Sequence, residues 1–298
     1  VSAPRVVVVT KRSLYGRYVE DEDDPRVQLL VRRRDRSVAH WLDAHEQHER
    51  TREAVRELLE KLGARVLVVR NPGAQFDPTD AVLVITVGGD GTLLAASHNV
   101  KNVPILGVNS APRYSVGSYC AARRSNLGQL LPAALAGTLR GVTLTRMRVA
   151  LNGRTRSRRI LNEALFCHST PAATSRYILS CRGIAEEQRT SGFWIGPAAG
   201  SGAAQRSAGG KVLPLTSRKL QLVVREPYLP PGKRYRLLRL LLGPTEKVSV
   251  KSNMQSGCIF LDGPYKRVPV RLGDRATFTA DGDPLRVLGL RGRRAQEG

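Results

Sequence analysis

Val82-Leu83-Val84-Ile85-Thr86-Val87-Gly88-Gly89-Asp90-Gly91-Thr92 is the stretch from which the chain's architecture can be read. Its first half, rich in β-branched side chains, predicts a buried strand, and Thr92-Leu93-Leu94-Ala95-Ala96 returns to helical composition. Between them, Gly88, Gly89 and Gly91 open backbone angles closed to other residues and let a ligand's phosphates touch the main chain. The helix start behind them offers unpaired N–H groups and a positive dipole end. Asp90 is the oddity in such a loop. A carboxylate there repels phosphate unless it binds a metal ion or takes a proton from an attacking hydroxyl, the needs of phosphoryl transfer. A tight strand-to-helix turn capped by the aspartate fits the same residues equally well.

Upstream, Arg5-Val6-Val7-Val8-Val9-Thr10-Lys11 predicts the first buried strand of a parallel sheet. It ends in a loop where Lys11 and Arg12 either meet a phosphate or form a solvated pair. The acidic run at 20–24 and the arginine-rich run at 32–36 read as exposed, mobile segments without chemistry. From Ser37 the spacing of Val38, Trp41, Leu42, His45, His48, Val55, Leu58, Leu59 and Leu62 predicts a long amphipathic helix, with Ser37 as N-cap and Gly63 as stop. His45 and His48 lie on that apolar stripe, without zinc-motif spacing, and read as core or boundary residues. Residues 65–69 supply a second strand, and the β-α-β order implies a right-handed crossover. Residues 104–108 supply another, with Asn109 at its carboxyl end on the same rim as Gly88 to Asp90. An Ala- and Leu-rich helix over 127–139 completes the first domain.

After Gly141 the texture changes to short runs and alternations over 143–151, 158–167, 177–181, 220–224, 247–250, 258–261, 268–272, 276–279 and 285–288. Asn152-Gly153 and Asp262-Gly263 are hairpin signals. Asn162 and Glu163 interrupt the apolar run Ile160-Leu161 to Ala164-Leu165, which is costly unless both find partners, in a nucleoside ligand or at an ordinary strand end. Residues 196–204 carry little side-chain volume beyond Pro197 and Ser201, so the backbone around Gly200 can approach a flat ring or a pyrophosphate. A flexible linker is the competing reading. The tail, 291–298, reads as disordered.

The chain of 298 residues is long enough for two domains, and the expected division is 1–144, an α/β nucleotide-binding domain with a parallel sheet, and 145–290, a β-rich, β-sandwich-like domain. No long uncharged apolar run suggests a membrane span, and Val1-Ser2-Ala3-Pro4-Arg5 does not read as a signal peptide, so the cytoplasm is the expected location. The four cysteines lack C-x-x-C spacing and point to free thiols rather than a metal site. Forty-eight basic against 25 acidic residues give a net charge of +23, a field that attracts nucleotides. With aromatics at 5% and no clustered basic module, specific nucleic-acid binding is not expected.

The pentapeptide Gly88 to Thr92 resembles the GGDGT signature that NAD kinases share with the diacylglycerol and sphingosine lipid kinases. Pro104-Ile105-Leu106-Gly107-Val108-Asn109 and Leu161-Asn162-Glu163-Ala164 resemble the next two NAD kinase motifs. Gly196-Pro197-Ala198-Ala199-Gly200-Ser201-Gly202-Ala203-Ala204, with Ser207-Ala208-Gly209-Gly210, resembles the TPTGSTAY and SAGG stretch. Pro197, Ala199 and Gly202 stand where that family has threonines and Ala204 where it has tyrosine, and this wording is closer to the plant-type NADH kinase branch. The resemblance implies a kinase that moves the γ-phosphoryl of ATP, carried with Mg²⁺, to the 2′-hydroxyl on the adenosine ribose of NAD or NADH. Asp90 is then the catalytic residue. Gly88, Gly89, Gly91, Thr92, Asn109, Lys11 and Arg12 serve the phosphates and rim; Asn162, Glu163, Gly200 and Ser201 serve the dinucleotide. The site is expected in a cleft between the domains, the assembly as a homodimer or homotetramer, with no membrane partner. A loop short of hydroxyls also predicts preference for NADH, whose ring lacks the positive charge of NAD. A lipid kinase and a non-catalytic dinucleotide sensor are the alternatives.

Overall fold

The computed structural model describes residues 3–232 and 234–292. They divide into two units, one running to Val142 and taking back Arg286–Arg291, the other spanning Thr143–Leu285.

In the first unit, β-branched runs build a sheet from β1 (Arg5–Thr10), β2 (Arg65–Val69), β3 (Leu83–Gly88), β4 (Ile105–Asn109), β5 (Ala122–Arg123) and β6 (Gly141–Leu144). The order is β2-β1-β3-β4, followed by the last strand of the chain and β6, with β5 beside β4. The pairs β1–β2, β1–β3 and β3–β4 are parallel. The inner strands β3 and β4 are buried throughout, which is why they read as unbroken apolar runs rather than alternations. Register places Thr10 opposite Val87 and Gly88 opposite Asn109, so Lys11, Gly88 and Asn109 share the carboxyl rim.

The helices of this unit are α1 (Pro25–Arg32), α2 (Trp41–Lys61), α3 (Asp90–Ser97) and α4 (Leu127–Leu135). Val55 and Leu59 of α2 join Leu83, Ile85, Leu106 and Leu131 in one core. Gly63, at φ +65°, ends α2 as expected. The start differs: α2 begins at Trp41, uncapped by any side chain, because the Ser37 hydroxyl donates to Asp35 (2.6 Å) in the turn before it. The charge runs also differ from expectation. They are exposed but enter helical turns, with Asp24 accepting from the Arg26 and Val27 amides to cap α1 and Glu22 pairing with Arg17 (2.8 Å).

The second unit holds β7 (Met147–Leu151), β8 (Arg154–Ile160), β9 (Ala164–His168), β10 (Ser175–Cys181), β11 (Ile184–Thr190), β12 (Phe193–Pro197), β13 (Leu220–Val224), β14 (Arg239–Leu242), β15 (Lys247–Ser252), β16 (Gly257–Leu261), β17 (Lys266–Val270) and β18 (Arg275–Thr279), with a short α5 (Ala204–Ser207) after β12. They form two antiparallel sheets, β11-β10-β15-β18-β7-β8 and β14-β13-β12-β9-β16-β17. Val149, Tyr177, Leu179 and Phe278 from one pack with Phe166, Phe193, Ile195 and Ile259 from the other, the sandwich the alternation predicted. Phe193 stacks on Phe166 and meets Tyr177 and Phe278 edge-on.

Among the departures from the sequence reading, two lie where the chain passes between the units, and the run expected over 158–167 also divides, into β8 and β9. The single strand expected over 143–151 splits between Leu144 and Met147, where β6 belongs to the first sheet and β7 to the sandwich. The last strand, β19 (Leu285–Leu288), pairs parallel with β4, so this strand joins the first sheet rather than the sandwich. Arg146 at the split is wholly buried and donates to the carbonyls of Asp283 and Pro284, which anchors the outgoing and returning segments of the second unit side by side. Of the tail read as disordered, 293–298 lie outside the described residues. Among the described residues no helix is long and apolar enough to cross a membrane, and all four cysteines are free.

Candidate active site

The glycine turn is tighter than its sequence suggests: β3 runs through Gly88, and α3 begins at Asp90 with only Gly89 as N-cap. The small residues make that possible. A Cβ at Gly88 would collide with Thr92, which is buried behind it, and one at Gly89 with Ser115, whereas nothing lies near a Cβ at Gly91. Gly91 is thus the glycine that leaves open space at the helix start.

Asp90 neither caps its own helix nor projects free. Its Oδ2 accepts from the Ser118 amide (2.8 Å) and its Oδ1 from the Tyr119 amide (2.7 Å), pinning the loop that follows β4. Asn109 works on the same loop. Its amide donates to the Ser115 carbonyl (2.8 Å), its Oδ1 accepts from the Ala111 amide (3.3 Å), and Gly117 leaves the room it needs. The Asn109 side chain thus holds its own loop, at the carboxyl rim where it is expected to meet a ligand. His48 completes the rim. Its Nε2–H donates to the Lys11 carbonyl (3.0 Å), which leaves Nδ1 to accept from the Ser110 hydroxyl (2.9 Å). Burial pushes its pKa down to about 4, so the core reading of this histidine holds and it links α2, β1 and the exit of β4 in neutral form.

Lys11 and Arg12 line a cavity of about 400 Å³ with Thr10, Glu49, Arg52 and Arg70. The two have different fates. Arg12 is held by Asp21, with Nε–Oδ2 at 2.6 Å. Lys11 lines the cavity, and burial there lowers its pKa.

In the second unit, Leu161, Asn162 and Glu163 form the break between β8 and β9. Asp262, in the β16–β17 turn, accepts the amides of all three residues: Leu161 on Oδ2 (3.0 Å), Asn162 and Glu163 on Oδ1 (2.7 and 3.2 Å). The Asn162 side chain hydrogen-bonds the Glu163 carboxyl, yet Glu163 Oε2 is buried without a partner. Burial first, and the Asp262 charge second, push the Glu163 pKa up to about 7. Glu163 borders a cavity of about 380 Å³ whose walls include Leu165, Trp194, Arg225, Phe260 and Pro264. An apolar, ring-lined hollow with one unsatisfied carboxyl is suited to a ligand that brings hydroxyls beside a flat ring. Sequence reading named Asn162 and Glu163 but took Asp262 only as a turn signal. Nothing local marks it, since only the β9–β16 register, Ala164 opposite Leu261, brings residues a hundred positions apart together.

The small-residue stretch serves a different neighbour from the one expected. A Cβ at Gly196 or Gly200 would strike the Asn162 carbonyl, so the backbone approach these glycines permit is to the Asn162 turn. Ser201 is fully buried, donating to the Ala198 carbonyl (2.7 Å) and accepting from the Leu213 amide (2.8 Å). Gly200 thus makes room for the turn that carries Asn162 and Glu163, and the Ser201 hydroxyl holds the small-residue stretch itself together.

The ATP-NAD kinase N-terminal domain family matches residues 27–138. A probable NADH kinase of Oryza sativa subsp. japonica is 36% identical over 231 residues, covering 70% of this chain and 71% of that protein. The NADH kinase of Arabidopsis thaliana is 34% identical over 243 residues, covering 70% and 73%. The crystal structure of an NAD kinase from Archaeoglobus fulgidus in complex with ATP shares the fold, with a TM-score of 0.64 at 20% identity over 95% of this chain and 93% of that one. The chain belongs to the NAD kinase family. Within it, the rice and Arabidopsis relatives identify the plant-type NADH kinase branch. None of these proteins supports the lipid-kinase or sensor alternative.

Proposed function

We propose that the protein transfers the γ-phosphoryl of ATP to the 2′-hydroxyl on the adenosine ribose of NAD(H), yielding NADP(H). The observation that carries this beyond family membership is the buried, unpartnered Glu163 Oε2 beside Asn162, an acceptor that ribose hydroxyls would satisfy. Such a transition state is met mainly by position and charge. Asp90 takes the hydroxyl proton, releasing the loop amides it now holds, or orients the nucleotide's metal. The cations of the Lys11 cavity and the open helix start at Gly91 hold phosphates. Among the described residues no group of three or more His, Cys, Asp or Glu side chains is placed to hold a metal ion, and the Mg²⁺ of the reaction would be held through the nucleotide phosphates. A turnover assay of NAD and NADH against ATP and inorganic polyphosphate tests the reading. No NADP(H) from any pairing would overturn it.

A homo-oligomer is part of the proposal. The edge strand β2 exposes Val66, Leu67 and Val68 in succession, an apolar edge that a second copy would cover. Leu67→Lys is expected to lower the mass measured by light scattering, and an unchanged mass would place the interface elsewhere. Free thiols accord with a reducing compartment such as the cytoplasm.

A further inference from the structure

We infer that Asp262 is a positioning residue for dinucleotide binding, its carboxylate gathering the three amides of residues 161–163 and so fixing how Asn162 and Glu163 present their side chains. The inference rests on the proposed function and concerns a residue outside the motifs that led to it.

Successive backbone N–H groups in a turn make a concavity for an anion, and here the chain supplies the anion itself. The lock is reciprocal, because the Asp262 amide donates to the Glu163 carbonyl (2.9 Å). Asp262 sits at φ +50°, a conformation aspartate tolerates, which turns its carboxylate back toward the 161–163 turn. From the other side, Gly196 and Gly200 close on the Asn162 carbonyl, so the turn is held between Asp262 and the small-residue stretch. Three charge-assisted bonds on one carboxylate are a strong anchor for a turn that belongs to neither adjoining strand.

The anchor also carries charge. Asp262 faces Glu163, His168 and Arg225 line the same cavity, and Lys266 lies near Asp262 on the next strand. An ionised Glu163 is the better acceptor for ribose hydroxyls, so NADH affinity should rise with pH through about 7, and the Asp262 charge helps set that midpoint.

Asp262→Asn keeps the shape but loses an acceptor oxygen and sets an NH₂ against amide donors. In this variant, NADH affinity measured by calorimetry should fall about tenfold or more, the equivalent of roughly 1.4 kcal/mol. ATP affinity should stay within about twofold, and the pH midpoint of NADH binding should move to lower pH. A structural role alone would not move that midpoint. Hydrogen exchange should quicken at the amides of 161–163 while Phe166 and Ile259 stay protected. Should Asp262→Asn fail to fold, Asp262→Glu retains the charge but displaces it, and should weaken NADH with the midpoint kept near 7. Unchanged NADH affinity and midpoint in a folded variant would overturn the inference alone. Absence of NADH binding by the unmodified protein would overturn the proposed function, and this role with it.

Discussion

The glycine turn of the first unit and the Asn162–Glu163 turn of the second both place polar side chains at strand ends, but they treat them differently. In the first, Asp90, Asn109 and His48 are each satisfied by neighbouring backbone or hydroxyl groups. In the second, Asp262 accepts the amides of residues 161–163 while the Glu163 carboxyl is left one partner short. A satisfied network is a finished geometry. A buried, unsatisfied acceptor costs stability in the free protein and is explained by a ligand that restores its hydrogen bond. The first region therefore presents a preformed rim, and the second holds binding energy in reserve.

The largest test of that contrast is chemical. Asp90→Asn is expected to lower kcat by about 10²–10⁴-fold, the range for a lost general base, while dinucleotide affinity changes little. Near-normal turnover would leave Asp90 with only its loop-pinning role.

Glycines in the two regions offer a structural counterpart. Gly200→Ala drives a methyl into the Asn162 carbonyl and should lower stability by about 3 kcal/mol in denaturant titration. Gly91→Ala, with open space and a helical backbone, should raise it by up to about 1 kcal/mol. If Gly91→Ala also loses turnover, the open space is where phosphate approaches; full activity would show that it is not.

Stability against pH sharpens the comparison further, because the two regions pull in opposite directions. For His48, with a folded pKa of about 4 against 6.5, only the unfolded chain binds the proton between those values, and stability falls as pH drops through that window. For Glu163, with a folded pKa of about 7 against 4.5, only the folded chain keeps the proton between them, and stability falls as pH rises through that window. Each effect reaches up to about 3 kcal/mol. Glu163→Gln should therefore stabilise the ligand-free protein at pH 8 and leave the acid limb unchanged, and a variant no more stable at pH 8 would mean Glu163 is not strained.

The smallest expected effects are on binding. Asn162→Ala and Glu163→Ala should each weaken the dinucleotide by about 1–3 kcal/mol, one or two lost hydrogen bonds. Affinity unchanged in both would return the pair to a purely structural duty.

Much of the frame was legible because it is written in local patterns. Apolar runs over 83–88 and 105–109 marked central parallel strands, and the Asn152-Gly153 pair, at φ +51° and +77°, made its hairpin. Arg182-Gly183 makes an equivalent turn at φ +51° and +75°, but arginine gives no such signal, and the edge strand β11 that follows alternates charges, so it went unread.

At the candidate site, the sequence by itself singled out Gly88 to Thr92 and Asn162-Glu163, because small size and polar interruption are properties of the residues themselves. Only the tertiary structure decided what each one touches. Gly200 makes room for the Asn162 turn, Arg12 pairs with Asp21, and Asp262 reaches the 161–163 amides through strand pairing. The physical reason is that a hydrogen-bonding group's chemistry is fixed by its side chain, whereas its partner is set by register between strands far apart in sequence.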